Sequence, residues 1–210
     1  MPRSTRPAHL ENAPQERFDA YCFGKLKQEE LVREYGDQHR LPYVIIRPGA
    51  VFGPGRRDLS GRIGIDTFGF FIHLGGSNRL PLTFVDNCAE AVVLSGLKRD
   101  VDGEIFNVVD DEPVTSRQLL EAYKKRVKPF FSVRVPYFLA YGLSLFWEKY
   151  SKWSKGQLPP AFNRRRCVAN WKSQRYSNEK LKTRLGWKPR VPMKQAMETF
   201  HAQFGTNSEA

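Results

Sequence analysis

Residues 41–55, "LPYVIIRPGAVFGPG", constrain the fold of this chain more than any other stretch. The run Tyr43 to Ile46 is short, continuous and rich in β-branched residues, which suits a strand buried on both faces of a parallel sheet. Ahead of it, from Phe18 to about Tyr35, the apolar Phe23, Leu26, Leu31 and Val32 recur among charged residues at helical spacing, with Gly36 as the stop. A helix, a short loop and an apolar strand make one αβ step of a doubly wound architecture. Behind the strand, the prolines and glycines of "RPGAVFGPGRRD" forbid regular structure and let the backbone approach a neighbour closely. Ligands of open α/β sheets bind at the carboxyl ends of strands, so this loop is a candidate ligand-facing edge. A tight structural turn accounts for the same composition.

The theme repeats further along. "LPLTFVDNCAEAVVLSGL" reads as a short extended segment and a helix capped by Asp86 or Asn87, with Ala89, Val92, Val93 and Leu97 facing inward. "GEIFNVVDDEPVTSRQLLEAYKKRV" reads as a strand at Ile105 to Val109, an acidic turn and a helix capped by Thr115 or Ser116. The most apolar stretch, "VRVPYFLAYGLSLFW", falls short of the roughly 20 residues that cross a bilayer. It predicts either a buried helix or an interfacial one flanked by Lys149, Lys152 and Lys155. The tail "YSNEKLKTRLGWKPRVPMKQAMETFHAQF" predicts two amphipathic helices around a Gly-Trp-Lys-Pro break.

Composition closes off several classes. With 40% apolar and 13% aromatic residues the chain is globular. Cys22, Cys88 and Cys167 are odd in number and far apart, which excludes a CxxC metal clamp and argues against a disulfide framework; no metal site is expected, and a reducing, cytoplasmic setting is. The formal charge of +12 gathers in "KKRVK", "NRRRC" and the stretch 171–190, without a helix-turn-helix, zinc-finger or RNP pattern. A solvated basic face, or one serving an anionic small molecule or membrane surface, is the reading preferred over a specific nucleic-acid site.

The helix near the start carries chemistry. In "FDAYCFGKLKQEELV", Tyr21 and Lys25 are four apart and share a helix face. A phenol titrates near 10, and a nearby ammonium lowers that value by favouring the phenolate. Such a tyrosine can give a proton to a carbonyl or take one from an alcohol as hydride moves. The spacing alone is common, so context has to decide.

The order of motifs resembles the extended short-chain dehydrogenase/reductase superfamily, which includes NAD-dependent epimerases, dehydratases and 3β-hydroxysteroid dehydrogenases. The matching pieces are "YCFGK" with "EELVREYG", then "LPYVIIRPGAVFGPG", "LPLTFVDNCAEAVVLS", "GEIFNVVDDEPVT" and "LGWKPRVPMKQAM". The resemblance implies an α/β fold: the C-terminal part of a Rossmann-like parallel sheet plus a mostly helical substrate-binding region. Residues 1–128 would be the NAD(P)-binding portion, with a substrate-side segment at about 55–82, and residues 129–210 the helical region. It implies an NAD(P)-dependent oxidoreductase or epimerase acting on an alcohol or carbonyl, with NAD or NADP as cofactor. Tyr21 would be the acid/base and Lys25 the ribose ligand that tunes it, with Pro48, Gly49, Ala50 and Val51 beside the nicotinamide. The region "SVRVPYFLAYGLSLFWEKYSK" looks most like the 3β-hydroxysteroid dehydrogenase branch, whose members are often membrane-associated and act on apolar alcohols. A peripheral membrane contact through 133–155 and a homodimer are expected on the same ground.

The sequence departs from that pattern in one large way. It holds no strand followed by a GxxGxxG turn, the element that grips a pyrophosphate on backbone amides at a helix N-terminus. The serine or threonine that usually precedes the tyrosine has only Ser4 and Thr5 as candidates. A truncated chain is therefore expected, or a non-catalytic binding module derived from such an enzyme.

Overall fold

A computed structural model describes residues 20–55, 63–67, 70–127, 129–154, 163–171 and 175–205. The chain forms two compact units, Met1–Tyr43 and Val44–Ala210. The first is represented by helix α1 (Ala20–His39), which runs through Gly36 instead of stopping there. Gly36 is glycine for another reason: a Cβ on it would lie 2.3 Å from a ring carbon of Tyr43. The helix ends at Arg40, whose φ of 53° is left-handed, and the Leu41 amide donates to the Gly36 carbonyl at 3.1 Å.

In the second unit, β1 (Ile45–Pro48) pairs in parallel with β7 (Ile105–Val108), Ile45 opposite Ile105 and Pro48 opposite Val108. Burial on both faces does not hold throughout β1, because Ile45 is buried while Ile46 and Arg47 are only half-buried. Nor is the following glycine-rich segment irregular. Ala50–Phe52 forms β2, parallel to β6 (Leu82–Phe84). The chain changes neighbour at Gly49, whose amide donates to the Val108 carbonyl at 2.9 Å while the Ala50 amide donates to the Pro81 carbonyl at 2.7 Å. A Cβ at Gly49 would sit 2.3 Å from the Pro81 oxygen, so the crossover needs a glycine. Two smaller ladders flank this arrangement. β3 (Gly64–Thr67) is antiparallel to β4 (Phe70–His73), which runs parallel to β9 (Ser132–Arg134), and β5 (Arg79–Leu80) is antiparallel to β8 (Val114–Thr115).

Helix α2 (Val85–Leu97) corrects the predicted inward face: Asn87, Ala91 and Ser95 are buried, whereas Ala89, Val92, Val93 and Leu97 are exposed. Its cap position is Phe84, without a side-chain bond, so neither Asp86 nor Asn87 is the cap. Helix α3 (Ser116–Arg126) starts as expected at Thr115. The Gln118 amide donates to Thr115 Oγ1 at 3.2 Å, and the Thr115 amide to Gln118 Oε1 at 2.9 Å, a reciprocal capping box.

The tail closes two cores. Helices α6 (Glu179–Leu185) and α7 (Met193–Gly205) flank the Gly186 turn, which is left-handed at φ 68°. Leu181, Leu185 and Trp187 join Ala91, Phe106 and Val108 in one cluster. Met193, Ala196 and Phe200 join Phe52, Leu82, Phe84, Leu119 and Leu120 in the other. The rings of Phe52 and Phe200 meet edge-on at 5.9 Å.

Between β9 and the tail, α4 (Tyr137–Trp153) packs on α5 (Arg164–Trp171). The buried alternative for this apolar helix fails. Its small residues Ala140, Ser144 and Ser151 are the buried ones, and Phe138, Phe146 and Trp153 are 71%, 69% and 76% exposed. Among the described residues no helix is long and apolar enough to cross a membrane.

Candidate active-site elements

The helical periodicity of α1 brings Tyr21 and Lys25 together: Lys25 Nζ lies 5.8 Å from the centroid of the Tyr21 ring. Lys25 also donates to Gln28 Oε1 at 3.0 Å, one turn further along. Tyr21 and Lys25 are both exposed. A phenol with a cation at this distance, both open to an incoming ligand, has the groups that proton transfer to a substrate oxygen and ribose binding require. Ser4 lies outside the described residues.

Pro48, Gly49, Ala50 and Val51 belong to the second unit and stand at the carboxyl end of β1, the end at which parallel sheets receive ligands. Pro48 is exposed, Gly49 and Val51 are half-buried, and Ala50 turns its methyl into the core. The Gly49 and Ala50 amides are committed to Val108 and Pro81. This segment therefore fits the flat, apolar face of a nicotinamide through contact surface, and those two amides are not free to donate to it. A pyrophosphate has no matching turn in the sequence, so the residues present fit the nicotinamide end of a dinucleotide and not its phosphates.

Two buried polar clusters were given no role by the sequence, although Thr83, Asn87 and Asp110 of the first fall inside two of the motifs that carry the family resemblance. At the first, the Asp110 carboxylate accepts from Thr83 Oγ1 at 3.1 Å, the Phe84 amide at 3.0 Å and Asn87 Nδ2 at 3.1 Å. Burial pushes the Asp110 carboxyl above its ordinary range, and these three bonds pull against that. Asn87 in turn exchanges bonds of 3.0 Å with the Val191 backbone, and its carbonyl accepts from Trp187 Nε1 at 3.0 Å. Asp110 is thus the junction between β6, α2 and the tail. It also adjoins Val109, whose Cγ1 lies 3.1 Å from where a Gly49 Cβ would be. The neighbouring Asp111 goes the other way. Burial raises it, but bonds from Lys182 and Asn178, both 2.7 Å, outweigh burial and hold it below the usual range.

At the second cluster, His73 Nε2 and Ser116 Oγ are 2.9 Å apart and both buried, joining β4 to the start of α3. Burial, then the positive charges of Arg134, Arg117 and Lys124, lower the His73 pKa from 6.5; Glu121 opposes them. The only hint of either cluster in the sequence is a polar residue inside an apolar run, as in "FFIHL", "LTFVDN" and "NVVDD".

With the parallel crossover and these side chains placed, the relatives can be compared. A model of the NAD dependent epimerase/dehydratase family matches residues 2–108, about half of the 210 residues. The chain belongs to the NAD dependent epimerase/dehydratase family. A sterol-4-alpha-carboxylate 3-dehydrogenase, decarboxylating, of Candida albicans is 29% identical over 198 residues, covering 86% of this chain and 55% of that protein. The protein of the same description from Mus musculus is 30% identical over 196 residues, covering 86% of this chain and 53% of that one. Among solved structures, UDP-glucuronic acid 4-epimerase from Bacillus cereus, in complex with UDP-glucuronic acid and NAD, matches with a TM-score of 0.62. That match covers 90% of this chain and 53% of the epimerase at 16% identity, a likeness of fold alone.

The chain spans about half the length of the curated relatives it matches. Membership of the epimerase/dehydratase family bears out the resemblance to extended short-chain dehydrogenases and the α/β, Rossmann-like fold expected from it. It also makes a nicotinamide dinucleotide the cofactor class to consider.

Proposed function

We propose that this chain is the carboxyl-terminal part of an NAD(P)-dependent oxidoreductase or epimerase that acts on an alcohol or carbonyl. The observation that supports the reading most is the Tyr21–Lys25 pair, phenol ring and ammonium 5.8 Å apart on one helix face, in a chain of the epimerase/dehydratase family. Tyr21 is the acid/base that holds the exchanging proton at Oη, and Lys25 carries donors for a ribose. When bound, the nicotinamide would accept or supply hydride at the substrate carbon. Pro48, Gly49, Ala50 and Val51 line its nicotinamide end. Residues 1–128 form the cofactor side, with a substrate-side segment at about 55–82, and residues 129–210 the substrate-binding region.

The two sterol dehydrogenases favour an apolar alcohol as the substrate over a nucleotide sugar. A membrane surface and a second copy of the chain are proposed partners. Supporting a second copy, α1 exposes Leu31, Val32 and Tyr35.

The test is a chimera carrying the amino-terminal half of the mouse relative ahead of this chain, assayed for NAD(P)H formation with a 3β-hydroxysterol. Tyr21→Phe should lower kcat about 10²–10⁴-fold. Unchanged turnover in that variant ends the assignment. A non-catalytic binding module is the second reading, favoured by the committed amides of Gly49 and Ala50 and the missing phosphate-gripping turn. Titrating NADH into the chain alone separates the two readings in part, since tight binding would mean that a phosphate site exists after all.

A further inference from the structure

We propose that His201 is an acid-sensitive latch: its neutral imidazole seats the last turn of α7, and protonation frees that turn together with the Gly55 segment that Gln203 holds. The inference goes beyond the enzymatic reading and does not rest on it.

His201 stands among the rings that close the larger core. It is 3% exposed, and neither Nδ1 nor Nε2 has a hydrogen-bond partner. The other buried histidine, His73, differs in having Ser116 at 2.9 Å. The His201 ring meets that of Phe200 edge-on at 5.3 Å, while Phe204 meets Phe200 at 5.4 Å and Tyr123 of α3 at 5.7 Å. A neutral imidazole packs in such a place as an aromatic ring. An imidazolium there has two donors and nothing to receive them.

The surroundings supply no counter-charge. Among the described residues the charged group that acts on His201 is Arg126 of α3, a cation. The other acid on α3, Glu121, acts on His73. Of the strands whose side chains share this core, β2 and β6 hold no titratable group, β5 holds Arg79, and the His73 of β4 is engaged by Ser116. On α7 itself Lys194 and Glu198 are exposed. Burial lowers the His201 pKa from 6.5; the Met197 carbonyl one turn earlier opposes this, short of hydrogen-bond geometry, and Arg126 adds to it. With the folded pKa below 6.5, the seated turn keeps its full stability above that value and loses it as pH falls toward the folded one.

The release is local and has an address. Met193 and Ala196 anchor the start of α7 in the core independently of His201. Two residues beyond the histidine, Gln203 Oε1 accepts from the Gly55 amide at 3.0 Å. Gly55 ends the segment that leaves β2, and its φ of 86° is left-handed. Freeing the last turn of α7 therefore removes the bond that fixes the backbone beyond Phe52.

The full chain, labelled with nitrogen-15, is followed by NMR as pH is lowered from neutrality, with amide exchange rates corrected for their intrinsic pH dependence. Amides of residues 201–205 should lose about tenfold in protection over the first unit below 6.5, while those of β7 keep theirs. The Gly55 amide resonance should move with the same midpoint. His201→Phe and His201→Gln cannot take up the proton and should abolish both responses; His201→Gln carries the test if His201→Phe does not fold. Gln203→Ala should detach Gly55 from the titration and leave the α7 response in place. The proposal is overturned if protection at 201–205 does not change with pH, if the response survives in the His201 variants, or if β7 opens in step, because the whole unit then unfolds. A Gly55 resonance that still follows pH in Gln203→Ala overturns the coupling. His73→Gln and Tyr21→Phe should both keep the wild-type response, so failure of the enzymatic reading and failure of this one are separable.

Discussion

Helices α4 and α7 lie within 70 residues of each other and are both amphipathic, yet they bury opposite kinds of side chain. α7 turns Met193, Ala196 and Phe200 into a core that already holds Phe52, Leu119 and Leu120. α4 packs on α5, buries its small residues Ala140, Ser144 and Ser151, and leaves its rings outside; Ser144 meets the buried Cys167 of α5. Small residues let two helices approach closely, while large ones need a prepared cavity. Periodicity shows that a helix has two faces; the neighbour decides which one is covered.

The contrast can be broken at its extremes. Phe200→Ala should cost about 3–5 kcal/mol in denaturant unfolding, because it empties a ring-packed site. Next comes the polar junction inside the closed region. Asp110→Ala leaves Thr83, the Phe84 amide and Asn87 without their acceptor and should cost about 1–3 kcal/mol by the same measurement. A smaller effect is expected from pH. The folded pKa of His73 lies below 6.5, so the unfolded chain takes up its proton first and stability is lost as pH falls below 6.5 toward the folded value. His73→Gln, which can still bond Ser116, should flatten that part of a stability profile. An unchanged slope would mean that another group titrates there. Phe146→Ala should be the mildest, within about 0.5 kcal/mol in the absence of lipid. A loss of several kcal/mol there would show that the α4 face is covered by this chain after all.

What could be read from the sequence follows the same division. The existence of strands at β1 and β7, the Thr115 cap and the shared face of Tyr21 and Lys25 depend on spacing within a few residues or on a short apolar run, and they were legible; the pairing of β1 with β7, 60 residues apart, was not. The inward face of α2 was not, because it is built from Asn87, Ala91 and Ser95, while Val92, Val93 and Leu97 form a stronger apolar signal on the outside. Gly36 looked like a stop because glycine signals both helix ends and close approaches, and only the ring of Tyr43 distinguishes them. The buried position of Asp110 depends on Thr83 and Asn87, more than 20 residues away, and no local pattern announces such a contact.

Trp187 and Phe200 each complete one of the two cores, and both are synthesised after every strand they cover. On the ribosome, the parallel pairs β1–β7 and β2–β6 must therefore wait with apolar faces uncovered until the tail has emerged. Folding of this unit cannot be complete before Phe200 has emerged, and a chaperone that shields sheet surface during that interval should raise its yield.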